Sequence, residues 1–419
     1  MILYYMKHAW RMLWQEKFFT IISLLGIGLA VSFIMVIITV NDIDDGSYAP
    51  EVNRYRTLYV KNVSEKQGQS TNNSSLSPMI VKNVIYNLDG VDAVTAVNRG
   101  ESFVEAQKLS GEGQNVKSTS TDGAYWKFFN FEFVAGKPFT SSDFTSGVRV
   151  AVIDESLSRS LYKGENALGK TIFIAQQPYK VVGVVKDVSP SSSFAYAKVW
   201  FPYTTSSQVM SGKNELSCGA LEAMILAKKT SDFDDIRRKL EARRFNYNET
   251  AGKGVKILLR GPDTHSEQRF RGDATAEQSE YKEVLRLWIM VIIILIVVPA
   301  FNMMSFTISR MKKRQEELGL RRSFGALRSN IIGQVIAENM LLTLIGGFFG
   351  FLLSGILIFA FQSTLFPDGV SLSLSMIFRP SILAYLLGVC VLVNLVSAII
   401  PAVRSANQPI LQALKEKKA

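Results

Sequence analysis

RMKKRQEELGLRRSFGALRSNI, residues 310 to 331, separates an apolar run that ends at Phe306 and Ile308 from another that begins at Ile331. Seven Lys and Arg in it stand against two acids. This is a short basic hairpin between two membrane spans, and Lys/Arg-rich loops close to spans stay on the cytoplasmic side of a bilayer. Leu318, Leu320, Phe324 and Leu327 are interleaved with Glu316, Glu317, Arg321 and Arg322. That pattern suits a short amphipathic helix stopped by Gly325. It offers a face for a partner to grip, although a solvated loop that only fixes topology would use the same residues.

Outward from the hairpin, four apolar blocks at 18–40, 287–309, 331–361 and 382–403 reach the ~20 residues that cross a ~30 Å hydrocarbon core. Four spanning helices are expected. The net charge of +11 is not spread over the chain. Residues 41–282 hold 31 basic and 29 acidic residues, whereas the first 17 residues carry +2, the 310–331 hairpin +5 and the tail after Val403 +3. Charge that flanks spans sets topology and gives no ground for nucleic-acid binding. It puts both termini and the hairpin in the cytoplasm, and residues 41–282 and the 362–381 loop outside.

Residues 1–17 place Tyr4, Tyr5, Trp10 and Trp14 beside Lys7, Arg11 and Lys17, as in a helix lying at the interface with membrane lipid. A signal-peptide n-region has similar composition. The apolar block that follows is too long for a signal core and has no A-x-A-like cleavage site after it, so an uncleaved first span is expected. Asp42, Asp44 and Asp45 read as a solvated helix end, since the other ligands of a calcium loop are missing.

From Val52 the pattern changes to strands and short helices. Strands are expected at 57–63, 91–97, 102–106, 171–174, 179–185, 197–202 and 222–227, helices at 78–88, 156–162 and 232–244, and a Ser/Asn-rich surface loop at 67–77. Alternation of this kind makes an α/β domain. Gly164-Glu165-Asn166-Ala167-Leu168-Gly169-Lys170-Thr171 matches the P-loop pattern in sequence. A phosphate loop follows a strand and opens a helix, and here the order is reversed, so nucleotide binding is not expected.

Cys218 and Cys390 read as small buried hydrophobes with no disulfide framework. His8 and His265 support neither a zinc site nor histidine catalysis. Pro299 predicts a kink in the second span, and Asn302 is expected to face another helix. Gly346, Gly350 and Ser354, at four-residue spacing, form a small-residue face for helix packing or a dimer seam. Glu338 is an ionisable exception in spans that otherwise offer no polar conduit.

The run from Asn302 to Gly350, with Glu316-Glu317-Leu318-Gly319-Leu320-Arg321-Arg322, Phe324-Gly325-Ala326 and Gly346-Gly347, resembles the permease signature of macrolide-exporter (MacB-type) ABC transporters. Lipoprotein-releasing and FtsX-like cell-division permeases share it. Pro401, Ala402, Arg404, Ala406, Pro409, Ala413 and Leu414 resemble the closing motif of that family. Residues 122–129, 136–139 and 150–155 resemble landmarks of its periplasmic domain.

The resemblance implies a membrane protein of four transmembrane α-helices with a large α/β extracytoplasmic domain of two lobes inserted between helices 1 and 2. One lobe would be 50–124 plus 214–270, the other 125–213, with a helical stalk at 271–286. Residues 310–330, and in them Glu316, Glu317, Leu318, Gly319, Leu320, Arg321, Arg322, Phe324 and Gly325, would be the element that couples to an ATPase. The resemblance also implies a permease subunit of the cell inner membrane that binds no cofactor and is not itself an enzyme. Its partners would be a separate cytoplasmic ABC ATPase holding ATP-Mg and a second permease copy or paralogue, with a periplasmic adaptor and outer-membrane channel as further partners. ATP-driven movement of the outer domain, or mechanotransmission, would export or extract a peptide, drug or lipoprotein. The alternative is an FtsX-like signalling or scaffold protein that activates a periplasmic partner such as a cell-wall hydrolase.

Overall fold

The computed structural model describes residues 17–99, 103–108, 113–190, 192–211, 218–250, 255–271, 279–313, 320, 323–325, 327–366, 377 and 379–407. The expected interfacial helix (apart from Lys17) and most of the 362–381 loop and the tail lie outside these residues. The described residues divide into a helical unit, built from the chain up to Asp44 and from Leu285 onward, and a mixed unit from Asp45 to Val284.

The helical unit contains α1 (Lys17–Asp45), α2 (Tyr281–Lys313), α3 (Arg328–Ala360) and α4 (Pro380–Asn407). All four are long and apolar enough to cross a membrane. Ile27, Ile34 and Met35 of α1, Met303 of α2, Phe351 of α3 and Cys390 of α4 meet in one buried cluster. Close approach needs small residues. A Cβ on Gly350 would lie 2.5 Å from the Gly28 carbonyl of α1, and one on Gly347 would lie 2.4 Å from the Cys390 sulfur of α4. Pro299 is buried inside α2. Asn302 departs from expectation: its side chain is exposed, because the inward positions of that stretch fall to Ala300 and Met303. The carboxylates at the end of α1 are also not a solvated terminus, since Asp42 accepts from Arg379 Nη1 at 2.9 Å and Asp45 from Ser266 Oγ at 3.0 Å.

In the mixed unit, β1 (Thr57–Val60) and β2 (Asn62–Gln67) are separate strands, the expected single strand breaking at Lys61. The expected loop at 67–77 is mostly a strand, β3 (Ser70–Leu76), paired antiparallel with β2 through a two-residue turn at Gly68. Ser and Asn have poor strand propensity, but here the ladder to β2 overrides it. A four-stranded antiparallel sheet results in the order β12 (Cys218–Gly219), β3, β2, β14 (Val255–Arg260). The helix Phe233–Thr250 buries Ile236 and Leu240 in the same core as Val63, Leu76 and Ile257.

The larger sheet begins β1, β13 (Glu222–Ala227), β4 (Val91–Asn98), β6 (Gln114–Thr121). It continues through β11 (Val199–Pro202), β8 (Val150–Asp154), β10 (Gln177–Val185), β9 (Thr171–Ile174) and β5 (Phe103–Gln107). A short strand, β7 (Phe133–Gly136), pairs with β10. Because β5 also pairs with β6, strands 6, 11, 8, 10, 9 and 5 close into a ring. The ring draws β5 and β6 into the lobe that the sequence reading begins only at residue 125.

Asp122 follows β6 and ties these parts together. Its buried carboxylate accepts from Tyr86 Oη, Thr95 Oγ1 and the N–H groups of Ala96, Ala124 and Tyr125. Burial pushes its pKa above the ordinary carboxylate range, against the pull of these donors. The P-loop look-alike runs from the helix Glu155–Tyr162 into β9, the reverse of a phosphate loop. Lys170 there pairs with Glu165 and stands over the Tyr162 ring.

Candidate coupling site

The basic hairpin begins where α2 ends, with Arg310, Lys312 and Lys313 in the last turn, where cations complement the helix dipole. Glu316, Glu317, Leu318, Gly319, Arg321 and Arg322 lie outside the described residues. Leu320, Phe324 and Gly325 are described. Phe324 N–H donates to the Leu320 carbonyl at 3.2 Å, and Ser323 Oγ donates to the same carbonyl at 2.7 Å, which completes one helical turn. Gly325 then takes φ +90°, while an added Cβ there would meet only open space. Its glycine therefore serves the backbone conformation and leaves no packing constraint. Leu327 is extended and opens α3 without a side-chain cap.

The apolar side chains around this turn point away from the protein: Leu320 is 54% exposed, Phe324 83% and Leu327 66%. Beneath them the ends of three helices are joined, with Met311 of α2, Ile331 and Val335 of α3 and Ala402 of α4 buried in one cluster. A polar layer follows. Asn339 Nδ2 donates to Thr307 Oγ1 at 3.0 Å, and Arg310 Nη2 donates to Asn339 Oδ1 at 3.3 Å. Gln334 Nε2 donates to Glu338 Oε1 at 2.9 Å, and Asn394 Nδ2 donates to the Ile336 carbonyl at 3.2 Å. Apart from the Gln334–Glu338 bond, which lies within α3, these bonds cross-link α2, α3 and α4 where unpaired polar groups would be costly. Exposed apolar groups on a fixed base are suited to being gripped and pushed.

Further along α3, Gly346 and Gly350 share the face against α1, and Ser354 is buried with its hydroxyl donating to the Phe351 carbonyl at 2.7 Å. The helix approach they allow lies within one chain. Sequence reasoning missed Thr307, Gln334, Asn339 and Asn394 and chose the exposed Asn302 instead. The four-residue spacing of Gln334 and Glu338 marks one helix face and was available as a signal.

Residues 20–243 match the family model of the MacB-like periplasmic core domain, and residues 289–410 match that of the FtsX-like permease C-terminal domain. The chain belongs to the MacB-like ABC transporter permease family. This permease is 23% identical over 343 residues to the uncharacterized ABC transporter permease YknZ of Bacillus subtilis (strain 168), covering 80% of this chain and 81% of the relative. It is 24% identical over 369 residues to the pyoverdine export ATP-binding/permease protein PvdT of Pseudomonas entomophila (strain L48), covering 83% and 51%. The macrolide export ATP-binding/permease protein MacB of Campylobacter jejuni subsp. jejuni serotype O:23/36 (strain 81-176) is 23% identical over 375 residues, covering 86% and 54%. The permease thus spans about half the length of these two exporters. Among solved structures, the extracellular domain of the YknZ transporter from Gram-positive bacteria aligns with 48% of this chain and 99% of that domain, at 17% identity and a TM-score of 0.36. The fold class is accordingly four apolar spans with a domain of the periplasmic MacB type between the first and the rest.

Proposed function

We propose that this permease is the membrane subunit of an ABC transporter, and that a cytoplasmic ATPase on a separate polypeptide docks on residues 310–330. ATP and its magnesium are held by that ATPase. Its closure is passed through the spans to the domain 45–284, whose movement exports or extracts a peptide, drug or lipoprotein. The observation that carries this reading is the outward-facing set Leu320, Phe324 and Leu327, placed around the Gly325 turn and backed by the packed ends of α2, α3 and α4. Each such side chain gives roughly 1.5–3 kcal/mol when a partner buries it fully.

Three further observations support the mechanism. Thr307 and Arg310 of α2 bond to Asn339 of α3, so these polar groups build a cross-link between the helices. The Lys/Arg excess at the hairpin and both ends of the chain favours a cytoplasmic position for all three. Relatives described as ATP-binding/permease proteins favour an ATPase component.

The test is ATP hydrolysis by the complex reconstituted in lipid. Leu320→Ala and Phe324→Ala should each lower permease-stimulated hydrolysis by about tenfold at limiting ATPase, since ~1.4 kcal/mol of docking energy is a factor of ten. Unchanged stimulation in both variants would refute docking through this face.

A further inference from the structure

The ring of six strands has an interior that changes character along its length. Alternate residues of a strand share a face, so Val116, Ser118 and Ser120 of β6 point inward together. Val116 joins Ile172, Val181 and Val199 in an apolar core. Beyond it the two serines replace apolar filling, although they are only 6% and 3% exposed. Together with Tyr179 and Phe201 they line a cavity of about 170 Å³ at this mouth of the ring. Barrel mouths are frequent ligand sites.

The chemistry of the lining is narrow. Hydroxyls come from Ser118, Ser120, Thr205, Ser206 and Ser207, and amides from Asn98, Gln177 and Gln208. Among the described residues no charged side chain lines it. A lining of hydroxyls and amides with no counter-charge among these residues is suited to a neutral ligand, since an ion would lose its hydration there. Hydroxyls and amides both donate and accept, which suits a ligand whose own groups do both at several positions. Tyr179 and Phe201 add an aromatic wall, their rings 5.2 Å apart, and the Tyr179 hydroxyl lies 3.0 Å from Thr205 Oγ1. At the rim Ala175 and Gln176 hold φ of +49° and +64°, as the two-residue turn that joins β9 to β10 requires. A cavity of about 150 Å³ takes one benzene ring, so this mouth has room for a single six-membered ring.

We infer that this mouth binds one neutral pyranose ring of a glycan or glycoconjugate, its hydroxyls met by the serines and amides and its apolar edge by Tyr179 and Phe201. The inference is independent of how ATP hydrolysis is coupled. The test uses the full chain in lipid nanodiscs and saturation-transfer NMR with glucose, galactose, mannose, N-acetylglucosamine and N-acetylgalactosamine, plus a capped neutral tripeptide. At least one pyranose should bind, and Ser120→Ala and Gln177→Ala should each weaken it by about tenfold without lowering the thermal midpoint. Gln177 is exposed at the rim, so its variant keeps the fold even where Ser120→Ala does not. The inference is overturned if no sugar of the panel binds the wild type, if binding persists unchanged in the Gln177 variant, or if the tripeptide binds in place of the sugars.

Discussion

Gly325 shows most plainly what one residue does here. Its φ of +90° turns the chain between the Leu320–Phe324 turn and α3, and nothing crowds the place of its missing Cβ. Gly325→Val should therefore leave the fold and the Leu320–Phe324 face intact while altering the chain path from that turn into α3, since a β-branched residue is strained at positive φ. The ATPase should stay bound through Leu320, with hydrolysis no longer responding to substrate; a variant that couples normally would show that the turn does not matter. His265 is a second such residue. It is buried, and burial holds its imidazole below the ordinary pKa of 6.5, opposed by the Asp45 carboxylate at 3.6 Å. The unfolded chain then binds a proton that the folded domain resists. Its contribution to stability is complete above about pH 6.5 and falls as pH drops below it. The thermal midpoint of the domain should decrease on acidification, and His265→Gln should flatten that slope; an unaltered slope would contradict this.

At the scale of elements, α3 is held on two sides by glycines. A Cβ at Gly350 would stand 2.5 Å from the Gly28 carbonyl, and that backbone cannot move aside as a flexible side chain would. Gly350→Val should therefore separate α1 from α3 and cost about 1–3 kcal/mol, the usual range for overpacking. Thermal unfolding in lipid measures it, and a midpoint equal to wild type would place the α1–α3 contact elsewhere. The spans themselves were legible because an uninterrupted apolar run of the right length has few other uses. Which face of a span turns inward was not, because apolar residues surround each helix: Asn302 faces out and Asn339 in. Strand β3 was hidden for a different reason. Its Ser and Asn carry no strand signal, and its order comes from pairing with β2 and β12. The ring was invisible because it depends on β5 meeting both β6 and β9, a non-local closure that no local pattern announces.

At the scale of the whole molecule, the charge asymmetry predicts which side each part occupies. Gln69 lies at the exposed tip of the β2–β3 hairpin. Gln69→Cys should react with a membrane-impermeant maleimide in intact cells whose outer barrier is permeable, and Ser323→Cys in the basic hairpin should react only after lysis; the opposite order would invert the topology. The candidate coupling residues were legible as a motif, but the exposure of Leu320 and Phe324 and the packed ends of three helices needed the structure. The central claim is that this exposed apolar turn recruits an ATPase, and quantitative co-purification from membranes tests it most directly. Wild-type permease should bring down an ABC ATPase, and a Leu320→Ala/Phe324→Ala variant present at equal level should bring down less by about tenfold or more. Equal recovery by the double variant, or no ATPase with the wild type, would contradict the account.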